Sequence, residues 1–390
     1  MRIAIATPVY PLPGDHTRGR YIFEIAHCLA RLATVEVFFC TGRYPRNRWL
    51  KPRSFVATDV TEDLSTPDVK VHAIDYRSFP VISRVTNGYM SGRALLPHLK
   101  SFSPDVVLAY WIYPEGYGAW RCAQRLGVPC VLGGLGTDIR ARDRLTRWFS
   151  GRALRGAEQS IMVSDEMRQL AVERFGVDQT RVHKIANGVN SKVFYTRQRD
   201  LMRQKHNLPA GARIVVYVGR FVASKGLREL VEAFTTLATQ DPEIHLLLVG
   251  DGVMREELRA MVTASPWRSR VHLPGALPPE AVAELINAAD LLCLPSYSEG
   301  YPNVVVEALA CGRPVVSTDV GGTPELVNAG NGMLVPPRNV AALQQALAAC
   351  LRREWDQQSI AAAWSRDWDD VARATLAVCQ QAYNVKRTMR

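Results

Sequence analysis

Short apolar runs alternate with helical patterns along the whole chain, and that alternation leaves little choice of architecture. Ile214-Val215-Val216-Tyr217-Val218 and Leu291-Leu292-Cys293-Leu294 are apolar at every position, as strands covered on both faces must be. Tyr21 to Leu32 and the LRELVEAF stretch after Gly226 carry helical spacing instead. Strands and helices in this alternation build parallel sheets with helices on both sides, an α/β fold of doubly wound sheets. In the first half the strand-like runs are Ile3 to Ala6, Val35 to Phe39, Val71 to Ile74, Val106 to Tyr110, Cys130 to Gly133, Ser160 to Val163 and Val182 to Ile185. In the second they are Ile214 to Val218, His245 to Val249, Val271 to Leu273, Leu291 to Leu294, Pro314 to Thr318 and Gly332 to Val335. Turn residues from Asn187 to Ser191 separate the two series, and a charged stretch through Arg203 leads into the second. A chain of 390 residues with 47% hydrophobic content can bury two cores, which predicts domains at 1–187 and 188–364. The tail from about Trp364 reads as a helix with a mixed face.

Two strand-to-helix loops in the second half carry the chemistry. Glu299 and Glu307 stand eight residues apart in SEGYPNVVVEALACG, and Pro302 suits a first helical position because it lacks the N–H left unpaired there. The free amides near Asn303 and Val304 then form an anion site at a helix start, flanked by two carboxylates that accept from hydroxyls. Upstream, Gly219-Arg220-Phe221-Val222-Ala223-Ser224-Lys225-Gly226 follows another strand and places two cations at its carboxyl end. Diphosphates bind at such loops in open α/β sheets. Taken singly, each loop also reads as solvated surface charge. Together they fit a nucleotide sugar, whose hydroxyls want acceptors and whose phosphates want donors and positive potential.

The net charge of +11 falls almost entirely in residues 1–190, which hold 26 Lys and Arg against 17 Asp and Glu. Arg140, Arg142, Arg144, Arg147, Arg152 and Arg155 form one cluster. Arg43, Arg46, Arg48, Lys51 and Arg53 form another, interleaved with Tyr44, Trp49, Leu50 and Phe55. Basic residues mixed with aromatics suit an anionic membrane surface or a polyprenyl-diphosphate acceptor, and a plain solvated face satisfies the same pattern. No nucleic-acid module accompanies the charge, so nucleic acid is not expected as a partner. The eight cysteines show no CxxC pair or zinc spacing, which fits reduced thiols in a cytosolic protein. MRIAIATP reads as a strand rather than a signal peptide, and no run approaches the roughly 20 apolar residues that span a bilayer. A cytoplasmic protein, either soluble or peripheral on the inner face of the membrane, is the expectation.

GRFVASKG and EGYPNVVVEALACGRPVVSTDVGGTPEL, with LLLVGDG, LPGALPPE and ADLLCLPS between them, resemble the signature stretches of glycosyltransferase family 4. The resemblance is dense from about Gly219 to Val335 and thinner before that, where the opening MRIAIATPVYPLPGDHTRGR and Ala186-Asn187-Gly188-Val189 agree with it. It implies the GT-B fold: two Rossmann-like domains facing an inter-domain cleft, with the last helix, 365–390, crossing back to the first domain. It implies a retaining transferase, moving a hexose or N-acetylhexosamine from a nucleotide-diphosphate sugar, most commonly a UDP-sugar, to a glycan or lipid-linked acceptor in polysaccharide or cell-envelope assembly. Arg220 and Lys225 would then neutralise the diphosphate, Glu299 would contact donor-sugar hydroxyls and Glu307 the ribose, with backbone groups around Tyr301, Pro302, Asn303 and Val304 helping to hold the phosphates. No metal or cofactor is implied.

In the first domain the resemblance places a glycine-rich loop, Pro13-Gly14 to Gly19-Arg20, under the phosphates, with Gly19 the expected neighbour and His16 worth testing. One departure stands out. In Val131-Leu132-Gly133-Gly134-Leu135-Gly136-Thr137-Asp138 the position of a frequent family histidine is Leu135. Asp138 is left to bind a sugar hydroxyl or assist the acceptor, or to cap the following helix. Asp251 reads as a structural turn residue, the DxD string in Asp367-Trp368-Asp369-Asp370 as surface helix charge, and His16, His72 and His245 as unclustered. Two other functions fit the same letters: a GT-B nucleotide-sugar epimerase, and a non-catalytic membrane-associated partner in polymer synthesis.

Overall fold

The computed structural model describes residues 1–13, 18–44, 62–79, 82–136, 138–140, 143–364 and 366–388. They divide into two compact units, Met1–Asn187 with Trp368–Arg390, and Gly188–Asp367.

In the first unit the strands are β1 (Arg2–Thr7), β2 (Thr34–Arg43), β3 (Lys70–Arg77), β4 (Val106–Tyr110), β5 (Cys130–Gly134), β6 (Gln159–Met162) and β7 (Val182–Lys184). The helices are α1 (Arg20–Ala30), α2 (Ser83–Phe102), α3 (Tyr117–Leu126), α4 (Arg144–Gly156) and α5 (Asp165–Phe175). All strands run parallel in the order β3-β2-β1-β4-β5-β6-β7. The winding reverses between β1 and β4, because β1 pairs with β2 on one side and β4 on the other. Every residue of β4 and β5 is buried, which accounts for their continuous apolar reading. Asp143 and Ser164 start α4 and α5 by accepting from the amides of Thr146 and Met167.

In the second unit, α6 (Arg199–Lys205) leads into β8 (Arg213–Val218), α7 (Leu227–Gln240), β9 (Ile244–Val249), α8 (Arg255–Ala264), β10 (Val271–Gly275), α9 (Pro279–Ala288), β11 (Leu291–Leu294), α10 (Asn303–Ala310), β12 (Val315–Thr318), β13 (Gly332–Val335), α11 (Val340–Arg352) and α12 (Gln357–Ala362). Its six parallel strands are ordered β10-β9-β8-β11-β12-β13, so the switch point lies between β8 and β11. The charged stretch before β8 is α6, whose Arg203 is buried and donates to the Ala288 and Ala210 carbonyls and to Asp290 at 2.8 Å.

The last helix, α13 (Trp368–Thr388), belongs to the first unit. Val371, Ala372, Val378, Cys379 and Ala382 join the core formed by β1, β2 and α1, and Lys386 reaches Glu158 at 2.6 Å. The helix starts at Trp368, not Trp364 as its composition suggests, because Asp367 is held in an extended bridge with Val189. Among the described residues no helix is long and apolar enough to cross a membrane. All eight cysteines are free and buried.

Candidate functional site

Both candidate loops of the second unit leave adjacent strands, β8 and β11, at the switch point. Gly226 explains how closely they pack. It takes φ +67, and a Cβ there would stand 2.0 Å from the Pro295 carbonyl oxygen, so no other residue permits this approach. The Tyr297 amide donates to the Ser224 carbonyl at 2.8 Å, a second tie between the loops. Lys225 is thereby brought against Glu299, with Nζ 2.5 Å from Oε1 and both side chains mostly buried, at 19% and 11% exposure.

Tyr217 lies behind this pair. Its hydroxyl donates to the Arg220 carbonyl at 3.0 Å, and its pKa is raised by burial and by the Glu299 charge while Arg220 opposes the shift. Arg220, Lys225 and Glu299 therefore gather around one buried tyrosine, with the Arg220 side chain exposed. Tyr217 escaped the sequence reading because a tyrosine inside an apolar strand carries no functional signal. Its position two residues before Gly219 is the only clue.

The loop continues from Glu299 into α10. Gly300 accepts from the Gly322 amide at 3.0 Å, and Thr318 donates its hydroxyl to the Ser296 carbonyl at 2.5 Å, fixing the loop to the end of β12. Tyr301 is half-buried, its pKa raised by burial and then by Glu325. Pro302 is the residue before the helix, not its first: its ψ of 106° is extended, and Asn303 begins α10. Pro302 offers no side-chain cap, and the first turn of α10 holds no acidic residue. Asn303 and Val304 are half-buried in that turn, and Glu307 stands half-buried at the fifth helical position. Asp251 is a turn residue, its carboxylate accepting from the Gly252 amide at 2.7 Å and pairing with Arg255.

In the first unit, Gly19 is the N-cap of α1 at φ +64, and a Cβ would stand 2.7 Å from the Tyr10 amide nitrogen. The loop start of α1 thus lies directly on the chain leaving β1. Gly14, His16, Thr137 and Arg142 lie outside the described residues, as does the stretch from Arg46 to Phe55. Leu135 packs against the core of this unit. Asp138 does not cap a helix; Asp143 does that for α4. Asp138 is buried, and its carboxylate accepts from the amides of Gly136 at 2.8 Å, Leu135 at 3.2 Å and Ile112 at 3.3 Å. Burial raises its pKa against those amides, and the result is a tie between the ends of β4 and β5.

Two histidine expectations need correction. His72 accepts or donates at 2.7 Å to Glu36 and stacks on Phe38, with His98 at 5.9 Å, while His245 lies 3.1 Å from His272 on the neighbouring strand. Parallel register sets His72 beside Phe38 and His245 near His272, while His98 reaches His72 from α2, none of which linear spacing reveals. Of the carboxylates in this string, Asp369 of the DxD pairs with Arg31, and the adjoining Asp370 pairs with Arg373 at 2.7 Å. Among the described residues no group of three or more His, Cys, Asp or Glu suits a metal ion.

The first unit exposes several apolar side chains, two of them covered by arginines. Phe79, Ile82, Val85, Tyr89, Leu145 and Trp148 are each at least 40% exposed, and Tyr89 and Trp148 lie on α2 and α4 with Phe149 between them. Arg121 covers the Tyr89 ring at 4.7 Å and Arg152 the Trp148 ring at 5.5 Å. Beside them a cavity of about 430 Å³ is lined by Tyr89, Arg93, Arg121 and Arg125 among others. Arg140 and Arg155 point to other tasks, one donating to Glu166 and one to the Phe175 carbonyl.

Two family models match, Glycosyltransferase Family 4 over residues 19–193 and Glycosyl transferases group 1 over residues 198–365. The chain is also 32% identical over 271 residues to a GDP-mannose-dependent alpha-mannosyltransferase of Mycolicibacterium smegmatis, covering 66% of this chain and 67% of that one. It belongs to glycosyltransferase family 4. A putative teichuronic acid biosynthesis glycosyltransferase, TuaC of Bacillus subtilis, is 32% identical over 254 residues, a match spanning 64% of this chain and 61% of that protein. The fold is that of GT-B enzymes. Sucrose-phosphate synthase from Thermosynechococcus elongatus superposes with a TM-score of 0.73 at 24% identity, covering 100% of this chain and 98% of that one. Anabaena HepE in complex with UDP and glucose superposes with a TM-score of 0.71 at 20% identity, covering 97% and 99%.

Proposed function

We propose that this family 4 chain transfers a hexose or N-acetylhexosamine, with retention at the anomeric carbon, from a nucleotide-diphosphate sugar to a glycan or lipid-linked acceptor in cell-envelope or polysaccharide assembly. The Lys225–Glu299 contact across two strand-end loops carries the proposal, because it sets a cation and a hydroxyl acceptor side by side at a switch point. The related mannosyltransferase uses GDP-mannose and the similar HepE structure holds UDP, so both nucleotides are the first donors to test.

Arg220 and Lys225 would meet the donor diphosphate, with the amides at the start of α10, around Tyr301 to Val304, receiving its oxygens. Glu299 would accept from sugar hydroxyls and Glu307 from the ribose. As the anomeric carbon–oxygen bond to phosphate breaks, negative charge grows on the leaving diphosphate, and the two cations stabilise it. The acceptor oxygen bonds to that carbon from the same face, its proton passes to a phosphate oxygen, and the nucleoside diphosphate leaves. This scheme asks no metal of the protein and no histidine at Leu135. The first unit would serve the acceptor. Asp138 would hold the backbone beside the acceptor rather than touch it. The arginine and aromatic face would rest on an anionic bilayer.

Thermal-shift screening of UDP-glucose, UDP-galactose, UDP-N-acetylglucosamine and GDP-mannose, followed by product analysis with EDTA present, tests this reading. Binding of none of them, or conversion of UDP-N-acetylglucosamine alone into its epimer, would overturn it.

A further inference from the structure

The first unit has its own switch point, and a buried polar cluster sits beside it. β4 leaves the sheet next to β1, and the segment after it, Trp111 to Gly116, turns back at once. Trp111 takes φ +78, uncommon for a bulky side chain, and the Gly116 amide closes the turn onto the Trp111 carbonyl at 2.9 Å. Backbone held in such a conformation at a strand's carboxyl end is a mark of a working loop. Its acidic residue, Glu115, is 4% exposed.

Glu115 accepts at Oε1 from the Tyr76 hydroxyl at 2.7 Å, while Oε2 is buried without a partner. Ser78 Oγ and Asn87 Oδ1 are buried without partners as well. Glu115, Tyr76 and Ser78 are neighbours, and Asn87 lies near them by way of Ser91 on α2. A Cβ on Gly42 would lie 2.5 Å from Ser78 Oγ and 3.3 Å from the Tyr76 hydroxyl. The Cys40 thiol, two residues before Gly42 on β2, lies beside both Glu115 and Ser91, and Ser91 is one helical turn from Asn87 on α2. Burial pushes the Glu115 carboxyl up to about 7, so near neutrality it serves as donor and acceptor in turn. Buried polar atoms are nearly always satisfied, and several orphans in one cluster call for a partner that supplies hydrogen bonds.

We propose that Glu115, with Tyr76, Ser78 and Asn87, forms a subsite for hydroxyl groups of the acceptor, a sugar or polyol that presents neighbouring O–H groups. Carboxyl, hydroxyl and amide oxygens make up the set, with no cation among its members, so a phosphate or carboxylate does not suit it. The inference rests on the transferase reading with the first unit on the acceptor side, and it gives that side named residues.

The test compares the wild-type full chain with Glu115→Gln and Tyr76→Phe, using the donor that gives the largest thermal shift. Prenyl-diphosphoryl N-acetylglucosamine, octyl glucoside and myo-inositol serve as acceptor probes. With the probe that supports the fastest transfer, each variant should raise the acceptor KM at least tenfold and leave the donor KM within twofold. The donor-induced thermal shift should be retained, which shows that the second unit is intact. Glu115→Ala, which cannot hydrogen-bond, should lose more than Glu115→Gln. Unchanged acceptor KM in variants that still bind donor would overturn the proposal, leaving a cluster filled by buried water only. So would a wild-type enzyme that hydrolyses donor but is accelerated by none of the three probes. If no donor binds, the transferase reading fails instead.

Discussion

The strand-end loops of the two units hold their buried carboxylates differently, Glu299 against a cation and Glu115 against a hydroxyl. In the second unit one ion pair is made within the protein, Lys225 holding Glu299, while Tyr217 holds the Arg220 backbone and Ser224 holds Tyr297; Ser296 Oγ and Thr323 Oγ1 are buried there without partners. In the first unit Glu115, Ser78 and Asn87 are buried with hydrogen-bonding capacity unspent, and the outer face carries arginines stacked on exposed rings. Under the proposed transfer, the difference fits two kinds of ligand. A donor diphosphate is the same charged object whatever sugar it bears, so its site can be built and held in advance. An acceptor varies, and the groups that read it are completed only when it arrives.

The comparison breaks most readily at the matched pair. Lys225→Ala should lower kcat/KM for transfer by about 10²- to 10³-fold, the scale for removing a group that stabilises transition-state charge, while Glu299→Gln, which keeps shape and loses charge, should cost about tenfold or more. Steady-state kinetics decide it, and near-normal rates in Lys225→Ala would remove the basis of the contrast. Next comes the packing that makes the pair. Gly226→Ala must relieve a 2.0 Å overlap with the Pro295 carbonyl and a φ of +67, so the loops should part. A loss of about 2 kcal/mol or more in stability, with donor affinity reduced in titration calorimetry, is the expected outcome.

The third prediction concerns pH and the unmatched side. The folded-state pKa of Glu115 is raised from 4.5 to about 7, so between those values the folded protein binds more protons than the unfolded one. Stability from this group is present below about pH 4.5 and is lost as pH rises toward 7. Glu115→Gln should therefore gain stability relative to wild type at pH 8 over pH 5, by on the order of 1–3 kcal/mol; denaturant titrations at the two pH values that show no such gain would mean that Glu115 is already satisfied. The smallest effect is expected at the surface. Trp148→Ala combined with Arg152→Ala should weaken sedimentation with phosphatidylglycerol vesicles several-fold, at about 1 kcal/mol per basic residue, and leave binding to phosphatidylcholine vesicles unchanged.

The strands of both sheets were legible because a strand buried on both faces must be apolar throughout, and β4, β5 and β9 are buried at every residue. The cation and carboxylate loops were legible for a related reason: Gly226, Arg220, Lys225 and Glu299 are residue types that few other roles demand together. Errors came where local signals compete. Pro302 is as good before a helix as at its first position, and Asp138 resembles a helix cap until Asp143 is seen to hold that place. The histidine pairs were invisible, since His245 and His272 meet only through the parallel register of β9 and β10.

From its letters alone the chain determined two parallel sheets, the loops that end their strands, and the charges on those loops. Periodicity and residue chemistry are local, so they survive in a one-dimensional string. Tertiary structure decided which charges meet and which polar atoms are left without partners. Lys225 and Glu299 are 74 residues apart, and Tyr76 and Glu115 are 39 apart. Only the order and register of the strands bring such groups within hydrogen-bond reach.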